Sequence, residues 1–134
     1  MQRIACVGAI VHDDHGRLLI IQRGKPPAEG TWSIPGGRVE PHETAAQACA
    51  REVLEETGLQ VHVGELIGCV ERPAPDGSLF VIDDFRATLV NPDTQVTAGD
   101  DARAVAWATL ADLQVLPTAP GLIDALTEWN CLPL

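Results

Sequence analysis

Residues 51–59 read REVLEETGL, so Arg51, Glu52, Glu55 and Glu56 fall within six positions. They close a longer run, TAAQACAREVLEET over 44–57, which is rich in Ala and holds neither Pro nor Gly. Such a run predicts a helix, stopped by Gly58, a residue suited to the left-handed conformation just past a helix end. Residues three and four apart share a helix face, so the carboxylates of Glu52, Glu55 and Glu56 converge. Like charges placed this way weaken an isolated helix by about 0.2–0.5 kcal/mol per pair. Two of these acids also stand in the last turn, where the macrodipole is already negative. A face that served only solubility would alternate its signs. A hard divalent cation gives the cluster a purpose, because Mg²⁺ prefers oxygen ligands and keeps several of its waters.

The composition narrows what such a site could serve. The chain has 134 residues, the size of one ordinary domain, and 46% of them are apolar. We therefore expect a single globular domain over 1–134. The formal net charge is −10, which repels nucleic-acid backbones and anionic lipids, so neither nucleic acid nor membrane is expected as a partner. A phosphate-bearing substrate is repelled too, unless a divalent cation stands between it and the carboxylates. The N-terminus MQRIACVGAIVHDD lacks the layout of a signal peptide, and no apolar stretch approaches membrane-spanning length, so a cytoplasmic location is expected. Cys6, Cys49, Cys69 and Cys131 are scattered without a CxxC pair and read as reduced, mostly buried thiols.

Outside the helix, residues 4–12 and 17–23 are β-prone and flank the turn residues Asp13-Asp14-His15-Gly16, which predicts a hairpin. A Pro/Gly loop follows at 24–31, then a short strand at 32–34 ending at Pro35-Gly36-Gly37. Strand-like segments recur at 59–63, 65–72, 79–90 and 103–109, and helical ones at 110–115 and about 120–129. Strands, one helix, more strands and a final helix predict an α/β (α+β) domain with a mixed sheet in an α/β/α sandwich.

The residues before the helix extend the pattern. From Gly37 the chain runs five residues to Glu43, seven more, and then REVLEETGL. This span, 37–59, resembles the Nudix box at every fixed position, and seven such matches at set spacings arise by chance with odds of order 10⁻⁹ per start site. WSIPGG before the box, a Trp-bearing strand after it and the overall length fit a small Nudix domain.

The resemblance implies a Nudix fold with a loop–helix–loop catalytic motif, and hydrolysis of a nucleoside diphosphate linked to another moiety with Mg²⁺ or Mn²⁺. It implies Glu52 and Glu56 as the main metal ligands, Glu55 as a further direct or water-mediated one, and the Gly36 carbonyl as a backbone ligand. Arg51 would hold the glutamates by charge-assisted hydrogen bonds, with Glu43 a supporting carboxylate. The general base is open between Glu55 and Asp101, with Glu52 a third choice. His42 departs from the family, which usually carries Gly there.

Substrate contacts are expected from Arg38, Arg23, Phe80 and Asp83. On β-strand alternation only one of Asp83 and Asp84 faces inward, and Phe80 lies opposite the Asp83 and Phe85 side. RGKPP (23–27), WSIPGGRVE (32–40), VIDDF (81–85) and GDDA (99–102) resemble the ADP-ribose pyrophosphatase-like branch. The alternative is a MutT-type hydrolase of oxidised nucleoside triphosphates, against which stands the lack of Asn in PTAPGL (117–122). A nucleotide-sensing module without catalysis is the non-enzyme alternative; such modules usually lose box glutamates, and all are present here. A homodimer is the expected assembly.

Overall fold

The structure is a computed structural model and describes residues 1–26, 28–99 and 101–134. Pro27 of RGKPP and Asp100 of GDDA therefore lie outside the described residues. In chain order the elements are β1 (Arg3–Val11), β2 (Leu18–Arg23), β3 (Trp32–Ser33), β4 (Gly36–Arg38), α1 (Ala45–Thr57), β5 (Val61–Pro73), β6 (Leu79–Leu89), β7 (Ala102–Ala108), α2 (Leu110–Val115) and α3 (Leu122–Glu128).

Strand β1, RIACVGAIV, is buried along its last six residues, which requires cover on both faces. It pairs parallel with β6 and antiparallel with β4, inside a sheet ordered β4-β1-β6-β5. Strand β2 is the centre of a second sheet, ordered β3-β2-β7. On one side, Val7, Ala9, Val11 and Leu19 pack with Ala48, Cys49 and Val53 of α1. On the other, Ile10, Leu18 and Ile20 pack with Leu113 of α2 and Leu122 and Leu126 of α3. Two cores flank the strands, which makes the expected mixed-sheet α/β/α sandwich. Each fully buried Leu or Ile in them contributes about 1.5–3 kcal/mol.

The hairpin expected between β1 and β2 does not form as such. Both sides of β1 are already occupied by β4 and β6, so β2 turns away into the other sheet. Only a bridge at His12–Leu18 remains, above a turn that the Asp13 carboxylate ties to the Arg17 and His15 amides at 2.9 Å. The two segments expected at 59–63 and 65–72 form one strand, β5, whose pairing slips between Val63 and Gly68. Pro35-Gly36-Gly37 does not simply end a strand, because Gly36–Arg38 adds to the edge of β1 as β4.

Helix α1 begins with a capping box: Thr44 accepts from the Gln47 amide at 3.1 Å, and the Gln47 side chain accepts from the Thr44 amide at 2.9 Å. It ends at Gly58 with φ 76, whose N–H bonds Leu54 O. No basic residue occupies its last turn, so the acids there gain nothing from the dipole.

Candidate active site

The β4 strand and the C-terminal half of α1 bring the box residues together. Paired with Gly8 on β1, Gly36 donates its N–H to Glu56 Oε1 at 2.8 Å. Glu56 is only 6% exposed, and burial pushes its carboxyl up to about 8. The negative charges of Glu52 and Asp101 push the same way, while the Gly36 bond and the charge of Arg23 oppose them. Burial also raises Glu52, although Arg51 pulls it down. At Gly37 a Cβ would stand 2.6 Å from the Glu52 carboxyl, so only glycine lets β4 lie this close to the helix.

Arg51 ties the cluster to the loop before it. Its Nε and Nη2 bond both oxygens of Glu43, at 3.0 and 2.7 Å, in the two-pronged geometry that lysine cannot copy. Its Nη1 reaches Glu52 at 2.9 Å and Glu55 at 3.2 Å, and its Nη2 also donates to the Arg38 carbonyl at 3.0 Å. These bonds raise the Arg51 pKa further and hold Glu43 below the usual carboxylate range.

A cleft of about 820 Å³ opens over this corner. Glu52, Glu56, Gly36, Gly37, Arg23, Lys25, Arg38 and Asp101 line one part of it. Phe80, Ile82, Asp84, Val70, Arg72 and Trp129 line another, with the Arg38 guanidinium 5.7 Å from the Phe80 ring centre. Glu55 is not among the lining residues and is turned to Arg51. Asp101 is, with a left-handed backbone (φ 64) and an ion pair to Lys25 at 2.6 Å. A smaller depression of about 400 Å³, bordered by Asp13, His15, Arg17 and Trp107, shares none of these residues.

Among the substrate contacts expected from the sequence, Arg23, Arg38 and Phe80 stand in the cleft, but Asp83 does not. Strand alternation puts Asp83 on the α1 side with Val81 and Phe85, beside Cys69. Asp84 is the inward acid, together with Arg72 and Trp129, which sequence reading also missed. The signal existed, since a Phe80 opposite Asp83 must share its face with Asp84. His42 adopts φ 69, the conformation that a glycine would take without strain.

Among the described residues no three carboxylate, thiolate or imidazole groups already form a cage for a metal ion. A cation of the Mg²⁺ type does not require one, because it binds through one or two carboxylates plus waters and substrate phosphates. Burial first, and then the charges of Glu52 and Asp101, oppose the ionised form of Glu56, and a bound cation would offset both. The acids present therefore fit it.

Comparison with known proteins places this geometry. The family model described as NUDIX domain matches residues 2–129. The chain is 31% identical to a CTP pyrophosphohydrolase of Escherichia coli (strain K12), over 98% of this chain and 95% of that protein. It is 35% identical to an ADP-ribose pyrophosphatase of Methanocaldococcus jannaschii, over 83% of this chain and 63% of that protein. A crystal structure of a MutT NUDIX hydrolase from Burkholderia pseudomallei superposes with a TM-score of 0.81 at 28% identity, covering 95% and 98% of the two chains. The chain belongs to the Nudix family. It is a hydrolase of the pyrophosphohydrolase class, and its substrate is a nucleotide-type small molecule.

Proposed function

We propose that the protein hydrolyses a nucleoside diphosphate linked to a second group, with ADP-ribose as the lead substrate and Mg²⁺ or Mn²⁺ as the required cation. The observation that carries this is the continuity of one cleft from the Glu52–Glu56 corner to the Phe80–Trp129 wall. A diphosphate suits the first part, where Arg23, Lys25 and Arg38 stand beside the acids that would hold a cation, and a nucleoside suits the second.

Glu52 and Glu56 would hold the cation, with the Gly36 carbonyl beside them and Glu55 acting through water. When bound, the cation neutralises the diphosphate and lowers the pKa of coordinated water. The remaining work falls to side chains. Arg23 and Arg38 meet phosphate oxygens, and Arg38 on Phe80 is pre-oriented to do so. Arg51 and Glu43 fix the glutamates. Asp101 takes the proton of the attacking water as general base, released from Lys25 when anionic phosphate competes for the ammonium. Its place in the cleft favours it over Glu55.

A second reading, hydrolysis of a nucleoside triphosphate, is supported by the near full-length match to the CTP pyrophosphohydrolase. One experiment separates the two: incubation of ADP-ribose, CTP and 8-oxo-dGTP with Mg²⁺ in oxygen-18 water, with products identified by mass spectrometry. The lead reading expects AMP and ribose 5-phosphate, and the second expects a nucleoside monophosphate and pyrophosphate. Tight binding without turnover of any of them would instead identify a sensor.

A further inference from the structure

The last carbonyls of a helix have no partner within it, and at the end of α1 a loop supplies one. Thr97 donates its N–H to Thr57 O at 2.8 Å, and Gly99 donates its own to Glu56 O at 3.1 Å. The segment before β7 is therefore fastened to the backbone of the turn that carries Glu55 and Glu56. Gly99 sets how close it lies, since a Cβ there would collide with the Glu55 carbonyl oxygen. The Gly99 backbone is not left-handed, so glycine is needed there for space alone. Two residues on, Asp101 is tied to the β2 side. Its carbonyl accepts from the Gly24 N–H at 3.0 Å, and the Ala102 N–H returns to Gly99 O at 3.3 Å. The β2–β7 pairing slips at this point, between Gln22 and Arg23, an irregularity of the kind that re-aims a neighbouring side chain. Between these ties Asp101 is held at φ 64, a strained conformation that persists only where the surroundings impose it.

We infer that this segment is a mount that fixes the reach of the Asp101 carboxyl over the Glu52–Glu56 corner, with Gly99 the positioning residue that sets its height. Asp101 lines the cleft together with both glutamates, on a side chain one methylene shorter than glutamate. A short acid meets the attacking water only from a loop that lies close against the helix end, and the bare Cα of Gly99 permits that approach. A side chain at 99 lifts the loop, because the atom it meets is helix backbone rather than a side chain that could swing aside. Misplacing a reacting group by about 1 Å costs on the order of a hundredfold in rate. The ties that hold the glutamates from the other side, Gly36 to Glu56 and Arg51 to Glu43 and Glu52, are untouched by such a lift.

The inference rests on the proposed assignment of Asp101 as general base. It is tested by kcat and KM, on whichever of ADP-ribose and CTP turns over, together with Mn²⁺ affinity from electron paramagnetic resonance. Gly99→Ala should lower kcat about 100-fold, with KM and Mn²⁺ affinity within about threefold of the wild type. Adding Asp101→Asn should lower kcat no further than Asp101→Asn does alone, because a residue acting through another contributes nothing once that other is gone. Adding Asp101→Glu instead should recover about tenfold in kcat, the longer arm spanning the gap under the lifted loop. On the native loop the same Asp101→Glu overshoots and should lower kcat about tenfold. Asp101 is exposed, so this last variant decides the matter even where Gly99→Ala does not fold. A Gly99→Ala kcat within about threefold of the wild type, or Mn²⁺ affinity that falls along with kcat, would overturn the inference. So would losses that multiply in the double variant with Asp101→Asn, no recovery by Asp101→Glu, or full kcat for Asp101→Glu on the native loop. Each of these results beside an impaired Asp101→Asn leaves Asp101 standing as the base. An unchanged kcat in Asp101→Asn, or no turnover by the wild type, would overturn the proposed function and the mount with it.

Discussion

The Gly36 amide donates to Glu56 Oε1 at 2.8 Å, binding the last turn of α1 to the β4 edge strand. With the bond from Arg51 to the Arg38 carbonyl, it joins the glycine strand to the glutamates of α1, across twenty residues of chain. It leaves the second Glu56 oxygen for another partner, in a site where burial and two further carboxylates oppose its charge.

The metal-free protein should therefore lose stability as pH rises. Glu56 and Asp84 titrate at about 8 and about 7 in the folded chain, against ordinary values near 4.5 and 3.8. Between those limits the folded state holds protons that the unfolded state has released, so their contribution is fully present below the ordinary values and is lost as pH climbs through 7 and 8. Thermal melts in chelator should show Tm falling over that range. Glu56→Gln and Asp84→Asn should each flatten the fall.

Arg51→Lys should keep the charge and lose the fork to Glu43. With the glutamates no longer fixed, kcat and metal affinity should each drop about 10–100-fold while the melting temperature changes little. Mn²⁺ titration followed by electron paramagnetic resonance measures the affinity directly.

Asp101→Asn should lower kcat about 100-fold with KM nearly unchanged. Glu55→Gln, on the Arg51 side of the helix and outside the cleft lining, should lower it less than about tenfold. A larger loss in Glu55→Gln would transfer the base to that residue.

His42→Gly should stabilise the protein. The left-handed backbone at φ 69 costs a non-glycine residue about 1 kcal/mol, part of which the extra freedom of glycine in the unfolded chain removes. Urea denaturation should show a higher midpoint, with kcat unchanged.

Much of this architecture could be read from the chain because its cues are local. Thr44, the Ala-rich run and Gly58 delimit α1 to within a residue, and the helical spacing alone predicts the carboxylate cluster. The hairpin failed because the turn at 13–16 speaks only for its own geometry. Whether β1 has an edge to offer β2 depends on β4 and β6, both well beyond the turn in the chain. The choice of Asp83 over Asp84 failed on orientation: alternation says that one of two neighbours faces inward, and only the packing of Val7 and α1 says which.

The account stands most directly on kcat for ADP-ribose in saturating Mg²⁺, measured for the wild type and for Glu56→Gln. The substitution keeps an oxygen for the Gly36 amide and removes only the charge. A loss of about a thousandfold with the fold intact is the predicted result. A kcat within about threefold of the wild type would contradict the assignment of this corner as the metal-dependent centre.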